Sequence, residues 1–262
     1  MPSRRGGKEE IKHIPLIIQK IPMYLYSKED YFLLRKPRTV ASTFGDEKSV
    51  LDYFDIPWEL QSLYKIPADN EILSTYVDIS KYTAEEDLDL FQKNQIENFS
   101  RKQEYGLLNR LDTPTGGFLY FAKTPQAFAQ YKADQKQGRI KKTYIAFVEG
   151  NPCYKDENKA IDIYFPIMHL ASNPEKMIVV KWFHDENKWR GKRHKGKTSV
   201  ELVKYFEKEQ KSLVKITIYK WIRHQIRVHL ASIWAPILGD NLYNNKAKKA
   251  DLQLRSIGFD MV

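Results

Sequence analysis

The stretch Gly106-Leu-Leu-Asn-Arg-Leu-Asp-Thr-Pro-Thr-Gly-Gly-Phe-Leu-Tyr-Phe-Ala-Lys123 limits the fold more than any other part of the chain. Its apolar runs, Leu107–Leu111 and Phe118–Lys123, predict two strands. Between them lies a Thr-Pro-Thr-Gly-Gly turn that reverses direction sharply. The arrangement holds one carboxylate, Asp112, at the lip of a sheet, with Arg110 two residues before it. Asp ahead of Thr-Pro is also ordinary turn chemistry, so taken alone Asp112 has a purely structural use.

The remaining pattern is of the same kind. Tyr31–Pro37 is strand-like and ends at a proline. Residues 47–64 predict a helix with Val50, Leu51, Phe54 and Leu60 as apolar positions. Thr124 followed by Pro125 is a helix start, and that helix runs to Gln137 and stops at Gly138. Ile140–Val148 and Met177–Phe183 predict strands. Val200–Phe206 and Leu213–Tyr219 predict a hairpin. Ile226, Leu230 and Ile233 share one face of a helix over Arg223–Trp234. Strands with helices interspersed give an α+β fold built on one continuous sheet system. Residues 1–12 read as a flexible tail and residues 13–262 as a single domain. The polar, acidic stretch 66–104 reads as a peripheral insertion.

The 262 residues carry a net charge of +10, unevenly spread. Residues 1–100 hold 13 Lys and Arg against 17 Asp and Glu, whereas the remainder holds 30 against 16. The excess sits in the part that contains the Asp112 turn, which points to a polyanionic partner. Lys181–Lys197 concentrates it, with seven Lys or Arg, two tryptophans and a phenylalanine. Cationic and aromatic side chains together suit phosphate contact and base stacking. Within this run Lys188, Arg190, Lys192 and Arg193 are the candidate nucleic-acid contacts, and a solubilising hairpin tip is the plainer use of the same residues. A single cysteine, Cys153, excludes an internal disulfide and fits a reducing compartment. The apolar runs are far too short to span a bilayer. The expectation is a soluble, cytoplasmic monomer. His224 and His229 stand five apart, off a common helix face, and no metal site is expected.

Three further segments follow the Asp112 turn: Lys141-Lys-Thr-Tyr-Ile-Ala-Phe-Val-Glu-Gly150, His224-Gln-Ile-Arg-Val-His-Leu-Ala231 and Pro236-Ile-Leu-Gly-Asp-Asn-Leu-Tyr243. In this order, from Lys36-Pro37 to about Tyr243, the chain resembles the RluA-type pseudouridine synthases. The resemblance implies the pseudouridine synthase fold, a central, mostly antiparallel sheet with peripheral helices and an active-site cleft. It implies isomerisation of uridine to pseudouridine in structured RNA, with ribosomal RNA ahead of transfer RNA. Asp112 is then the nucleophile, Tyr144 lies against the target base, and Arg227 pairs with Asp112. Arg110 fills the space left by the extruded base, and Lys142 and Arg223 join the RNA contacts. Arg223, one turn before Arg227 on the expected helix, competes with it for Asp112. The reaction moves the C1′ bond from N1 to C5 with no net oxidation or reduction, so no cofactor and no metal is expected. The carboxylate attacks either C1′ or the base. An inactive RNA-binding or RNA-folding protein on the same scaffold is the alternative. Two departures bear on target choice: Asn109 stands where the family has His, and Trp221-Ile-Arg223 where it has Gly-Arg-Thr. No S4-type RNA-binding domain is evident before residue 30, so RNA affinity is expected to come from the catalytic domain.

Overall fold

The structure of the protein is a computed structural model, which describes residues 25–28, 30–36, 41–43, 49–51, 83–85, 88–155, 159–181, 188–247 and 251–261. The expected tail 1–12, most of the expected helix 47–64, residues 66–82 and Trp182–Phe183 lie outside them.

Among the described residues the main sheet has nine strands. Along the chain these are β1 (Leu25–Lys28), β2 (Tyr31–Lys36), β3 (Thr83–Glu85), β4 (Gly116–Ala122), β5 (Ile140–Glu149) and β6 (Ala160–Ile163). A separate three-stranded sheet follows, with β7 (Ile167–Leu170), β8 (Met177–Val179) and β9 (Trp189–His194). The chain then returns to the main sheet with β10 (Thr198–Phe206), β11 (Lys211–Ile218) and β12 (Leu254–Met261). Across the main sheet the order is β3-β1-β2-β4-β12-β5-β11-β10-β6. Every neighbouring pair is antiparallel except β4 and β12. The α+β expectation with a mostly antiparallel sheet holds, but the sheet system is not continuous. The chain leaves β6 after Ile163, and the Pro166 carbonyl already accepts the Val180 N–H next to β8 at 2.8 Å.

The strand sequences follow from where they sit. Leu33, Phe118 and Tyr120 pack on one face of the main sheet, while Phe32, Leu34, Leu119 and Phe121 pack on the other. β2 and β4 are thus buried on both faces and read as continuous apolar runs rather than alternating ones. Helix α1 (Leu88–Asn98) inserts Phe91 edge-on against Phe32 and Phe121, with centroids 5.1 and 5.4 Å away. This end of the stretch 66–104 is therefore part of the core. Helix α2 (Pro125–Lys136) begins as its sequence predicts, the Thr124 hydroxyl accepting the Ala127 N–H.

Two expected elements differ. Leu107–Leu111 is not a strand. Leu107 bridges Phe121 and the Leu108 N–H donates to the Tyr120 carbonyl, but a side chain then takes over. The Asn109 carboxamide donates to the Phe118 carbonyl at 3.2 Å and accepts the Tyr120 N–H at 2.8 Å. Asn109 finishes the ladder and lets the backbone turn away, carrying Arg110 and Asp112 outward. The second difference is helix α3, which spans Gln225–Ser232 rather than Arg223–Trp234. His224 has φ 54°, a left-handed conformation that cannot continue a helix.

Candidate active site

Asp112 sits in a tight turn in which the Thr115 N–H donates to the Asp112 carbonyl at 2.8 Å. The next residues enter β4 through Gly117, at φ +114°, where a Cβ would collide with the backbone of Ser256 on β12. The turn is therefore pinned to the sheet at a point only glycine can occupy. It places the Asp112 side chain, 18% exposed, at the floor of a cleft of about 730 Å3.

Arg227, in the first turn of α3, meets it there. Its Nη1 is 3.5 Å from Asp112 Oδ2. The guanidinium is almost fully buried, and a residue of the Pro236–Tyr243 segment, to which the sequence assigned no role, holds it in place. Asp240 accepts from Arg227 Nε at 2.9 Å and from Nη2 at 2.7 Å, a bidentate fork. Asp240 Oδ1 also accepts the N–H groups of Leu242 and Tyr243. Burial disfavours the charge on Arg227, but the Asp240 hydrogen bonds and charge, with Asp112 behind them, hold its pKa above the ordinary value. The two carboxylates are treated differently. Asp240 is locked by short bonds, while Asp112 lies beside the positive charge without a short bond to it. That suits a nucleophile, which must advance on its target.

A second cation-capable group flanks Asp112. His224 Nε2 is 3.8 Å from Oδ2, beyond direct hydrogen-bond reach. The other ring nitrogen, Nδ1, is 2.8 Å from the Tyr243 hydroxyl, and that oxygen already accepts the Met177 N–H at 2.8 Å. The phenol is placed to donate its proton to Nδ1, an arrangement that puts the imidazole proton on Nε2, facing Asp112. Burial pushes the His224 pKa down to about 4, against the pull of Asp112 and with the help of Arg227 and Arg223. His224 is a neutral donor at pH 7.

Tyr144, on β5, joins Asp112, Arg227 and His224 in lining a narrow recess below the cleft. Burial, then the Asp112 charge, raises its pKa, so it stays a neutral phenol. This suits ring contact with a base better than the uptake of a proton. Lys36 completes the surroundings. It is 1% exposed at the end of β2, and its ammonium donates to the Thr113 carbonyl at 3.1 Å. Burial lowers its pKa to about 7, with Asp112 opposing.

The expected RNA contacts divide. Arg110 is exposed at the cleft and paired with Glu104 at 2.6 Å. Arg223 is exposed and lines the same cleft, but it precedes the left-handed His224 and shares no helix face with Arg227. The competition for Asp112 expected from an i, i+4 pair therefore has no structural basis. Lys188, Arg190, Lys192 and Arg193 are all exposed, on or beside β9 at one edge of the small sheet. Lys142 does not join them. It is 5% exposed, among Asn109, Tyr131 and Tyr144, and burial lowers its pKa to about 8. Lys142 and Tyr144 are two apart on β5 and share a face, so a strand that turns Tyr144 inward turns Lys142 inward as well.

The family model described as RNA pseudouridylate synthase matches residues 30–232, which include Asp112, Tyr144 and Arg227. The chain belongs to the RNA pseudouridylate synthase family. An uncharacterized RNA pseudouridine synthase of Aquifex aeolicus is 28% identical over 168 residues, 64% of this chain and 49% of that protein. The ribosomal large subunit pseudouridine synthase D of Zymomonas mobilis is 30% identical over 154 residues, 59% of this chain and 44% of that one. The matched region thus spans about half the length of these relatives. Among solved structures, human RNA pseudouridylate synthase domain containing 1 superposes with a TM-score of 0.56 at 14% identity. The superposition covers 97% of this chain and 79% of the human one, a likeness of fold. Among the described residues no group of three or more His, Cys, Asp or Glu could hold a metal ion, and no helix is long and apolar enough to cross a membrane.

Proposed function

We propose that this chain is an RNA pseudouridine synthase with Asp112 as its nucleophile. The observation that carries the reading is the pairing of a lightly held carboxylate with a tightly held guanidinium: Asp112 lies 3.5 Å from an Arg227 that Asp240 fixes in place. Arg227 supplies the counter-charge for a carboxylate in a partly dry pocket and leaves an oxygen free to attack. The target uridine leaves its stack and enters the recess, at a cost of about a few kcal/mol. Asp112 then attacks C1′ or the base, and the N1–C1′ bond breaks. The uracil turns, C5 bonds to C1′, the bond to Asp112 breaks and returns the carboxylate, the C5 proton is lost and N1 gains one, so atoms and electrons balance without a further reactant. Tyr144 supplies the surface against which the detached ring turns. The neutral His224 lies beside the carboxylate, its Nε2 3.8 Å away.

The substrate class that fits the basic C-terminal part is structured RNA, ribosomal RNA before transfer RNA, with residues 13–262 acting as one catalytic unit. The similarity to a large-subunit synthase supports that order. The test is Asp112→Asn, which keeps the shape and removes the nucleophile. Pseudouridine formation in total RNA should fall below about 1% of wild type while RNA binding is kept, a loss in the range expected when a covalent step is removed. Undiminished turnover by Asp112→Asn would refute the assignment. Wild-type protein that binds RNA and forms no pseudouridine would favour the inactive scaffold.

A further inference from the structure

The segment Trp221-Ile-Arg223 is built around a buried peg. Ile222 is 8% exposed and packs with Ile167, Met177 and Val228, fastening the segment to the small sheet and α3. The Gln225 N–H donates to the Ile222 carbonyl at 3.0 Å and closes the turn behind it. With Ile222 pinned inward, its neighbours Trp221 and Arg223 both face the cleft. Trp221 is 44% exposed and lines the outer cleft as well as the narrow recess that holds Asp112, Tyr144 and Arg227. Among the described residues its indole has neither a hydrogen-bond partner nor a ring neighbour. A large aromatic face is thus held by its backbone at the doorway of the recess, beside an exposed guanidinium.

We propose that Trp221 and Arg223 form a subsite for the nucleotide next to the target uridine, the base stacking on the indole and its phosphate meeting the guanidinium. The proposal rests on the RNA reading of the cleft and adds a specificity element to it. Stacking tolerates any base because each has a π face, whereas pairing hides that face. The subsite therefore selects uridines whose neighbour is unpaired. It also makes the extruded uridine's neighbour a main source of affinity in the complex, because the stack given up in the RNA is replaced on the protein.

The probe is a fluorescein-labelled single-stranded RNA of nine nucleotides, a central uridine flanked by four adenosines on each side. Two further versions carry an abasic residue immediately 5′ or 3′ of the uridine. Anisotropy titrations use the full chain as wild type, Trp221→Ala and Trp221→Phe, each checked for folding by circular dichroism. Trp221→Ala should weaken binding of the intact RNA roughly 5- to 150-fold, the range for one stacked base, and Trp221→Phe should recover most of it. One abasic position should weaken the wild type similarly and Trp221→Ala hardly at all, since the two changes remove the same stack. Equal sensitivity of wild type and Trp221→Ala to both abasic positions would overturn the subsite, as would a wild type that binds all three RNAs alike. Pseudouridine formation in total RNA, measured in parallel, separates the two ideas. A synthase whose KM is untouched by Trp221→Ala keeps its function and loses the subsite. Trp221-dependent binding without pseudouridine keeps the subsite and loses the synthase.

Discussion

His224 offers the most direct quantitative test of the site. Its pKa of about 4 lies below the ordinary value of 6.5, and burial is the main cause. Five ionisable or charged groups bear on it: Asp112, Arg227, Arg223, Asp240 and Tyr243. A histidine depressed in the folded state is neutral there while its unfolded counterpart takes up a proton. Lowering the pH through 6.5 therefore stabilises the unfolded chain, and the loss of stability continues until the folded imidazole titrates as well, near 4. From pH 7 to pH 5 this single group should cost about 2 kcal/mol of folding stability. His229, also depressed by burial, adds a loss in the same direction. The measurement is urea unfolding of wild type and His224→Gln at both pH values. Glutamine keeps a donor near Asp112 but does not titrate, so the variant should lose about 2 kcal/mol less than wild type over that interval. Nitrogen-15 NMR of the imidazole should show the Nε2–H tautomer at pH 7. Identical pH slopes in the two proteins, or an imidazole that titrates near its ordinary value in the folded state, would refute the description of His224 as a neutral, directed donor.

Arg227→Ala should cut the single-turnover rate at saturating RNA by a factor on the order of 100 or more, whereas Arg223→Ala should chiefly weaken RNA binding, and the reverse pattern in single-turnover kinetics would reassign the pair. Asp240→Ala leaves the Arg227 charge buried without its fork and should cost about 3–5 kcal/mol in urea unfolding, so a loss under about 1 kcal/mol would show that Asp112 alone can hold the guanidinium. Neutralising Lys188, Arg190, Lys192 and Arg193 together should flatten the log–log salt dependence of RNA binding by roughly 0.7–0.9 for each phosphate no longer neutralised, with little change in rate at saturation. An unchanged slope would make that edge of the small sheet a solvated surface.

The proposed catalytic trio is legible in the sequence because each member lies in a short motif with its own local pattern. A Pro-Thr-Gly-Gly turn announces Asp112, an alternating strand carries Tyr144, and an apolar helical stripe carries Arg227. The supporting residues are not legible, because their roles exist only between elements. Asp240 fixes Arg227 from a loop beyond α3, Lys36 reaches the Asp112 turn from β2, and the tautomer of His224 depends on an N–H of β8. Asn109 is a visible departure from the family pattern, yet its part in finishing the β4 ladder needs the partner strand in place. Lys142 departs from expectation for a different reason. Its charge argues for the surface, while the two-residue period of β5 places it beside Tyr144. The shortened α3 comes from a single residue, His224, whose left-handed backbone no propensity signals.

The position of β12 has a consequence for how the molecule comes into being. Residues 254–261 lie between β4, which carries the Asp112 turn, and β5, which carries Tyr144. Until they are in place these two strands have no common neighbour, and the two halves of the sheet are separate pieces with unpaired edges. During synthesis the β2–β4 pair emerges more than a hundred residues before the strand that joins it to β5. The chain must therefore carry exposed strand edges while those residues are made, a state open to aggregation. Closure by so distant a segment is a slow, non-local event. Trimming residues 254–261 should leave a collapsed but unjoined protein, so this one strand governs when Asp112 and Tyr144 first share a pocket.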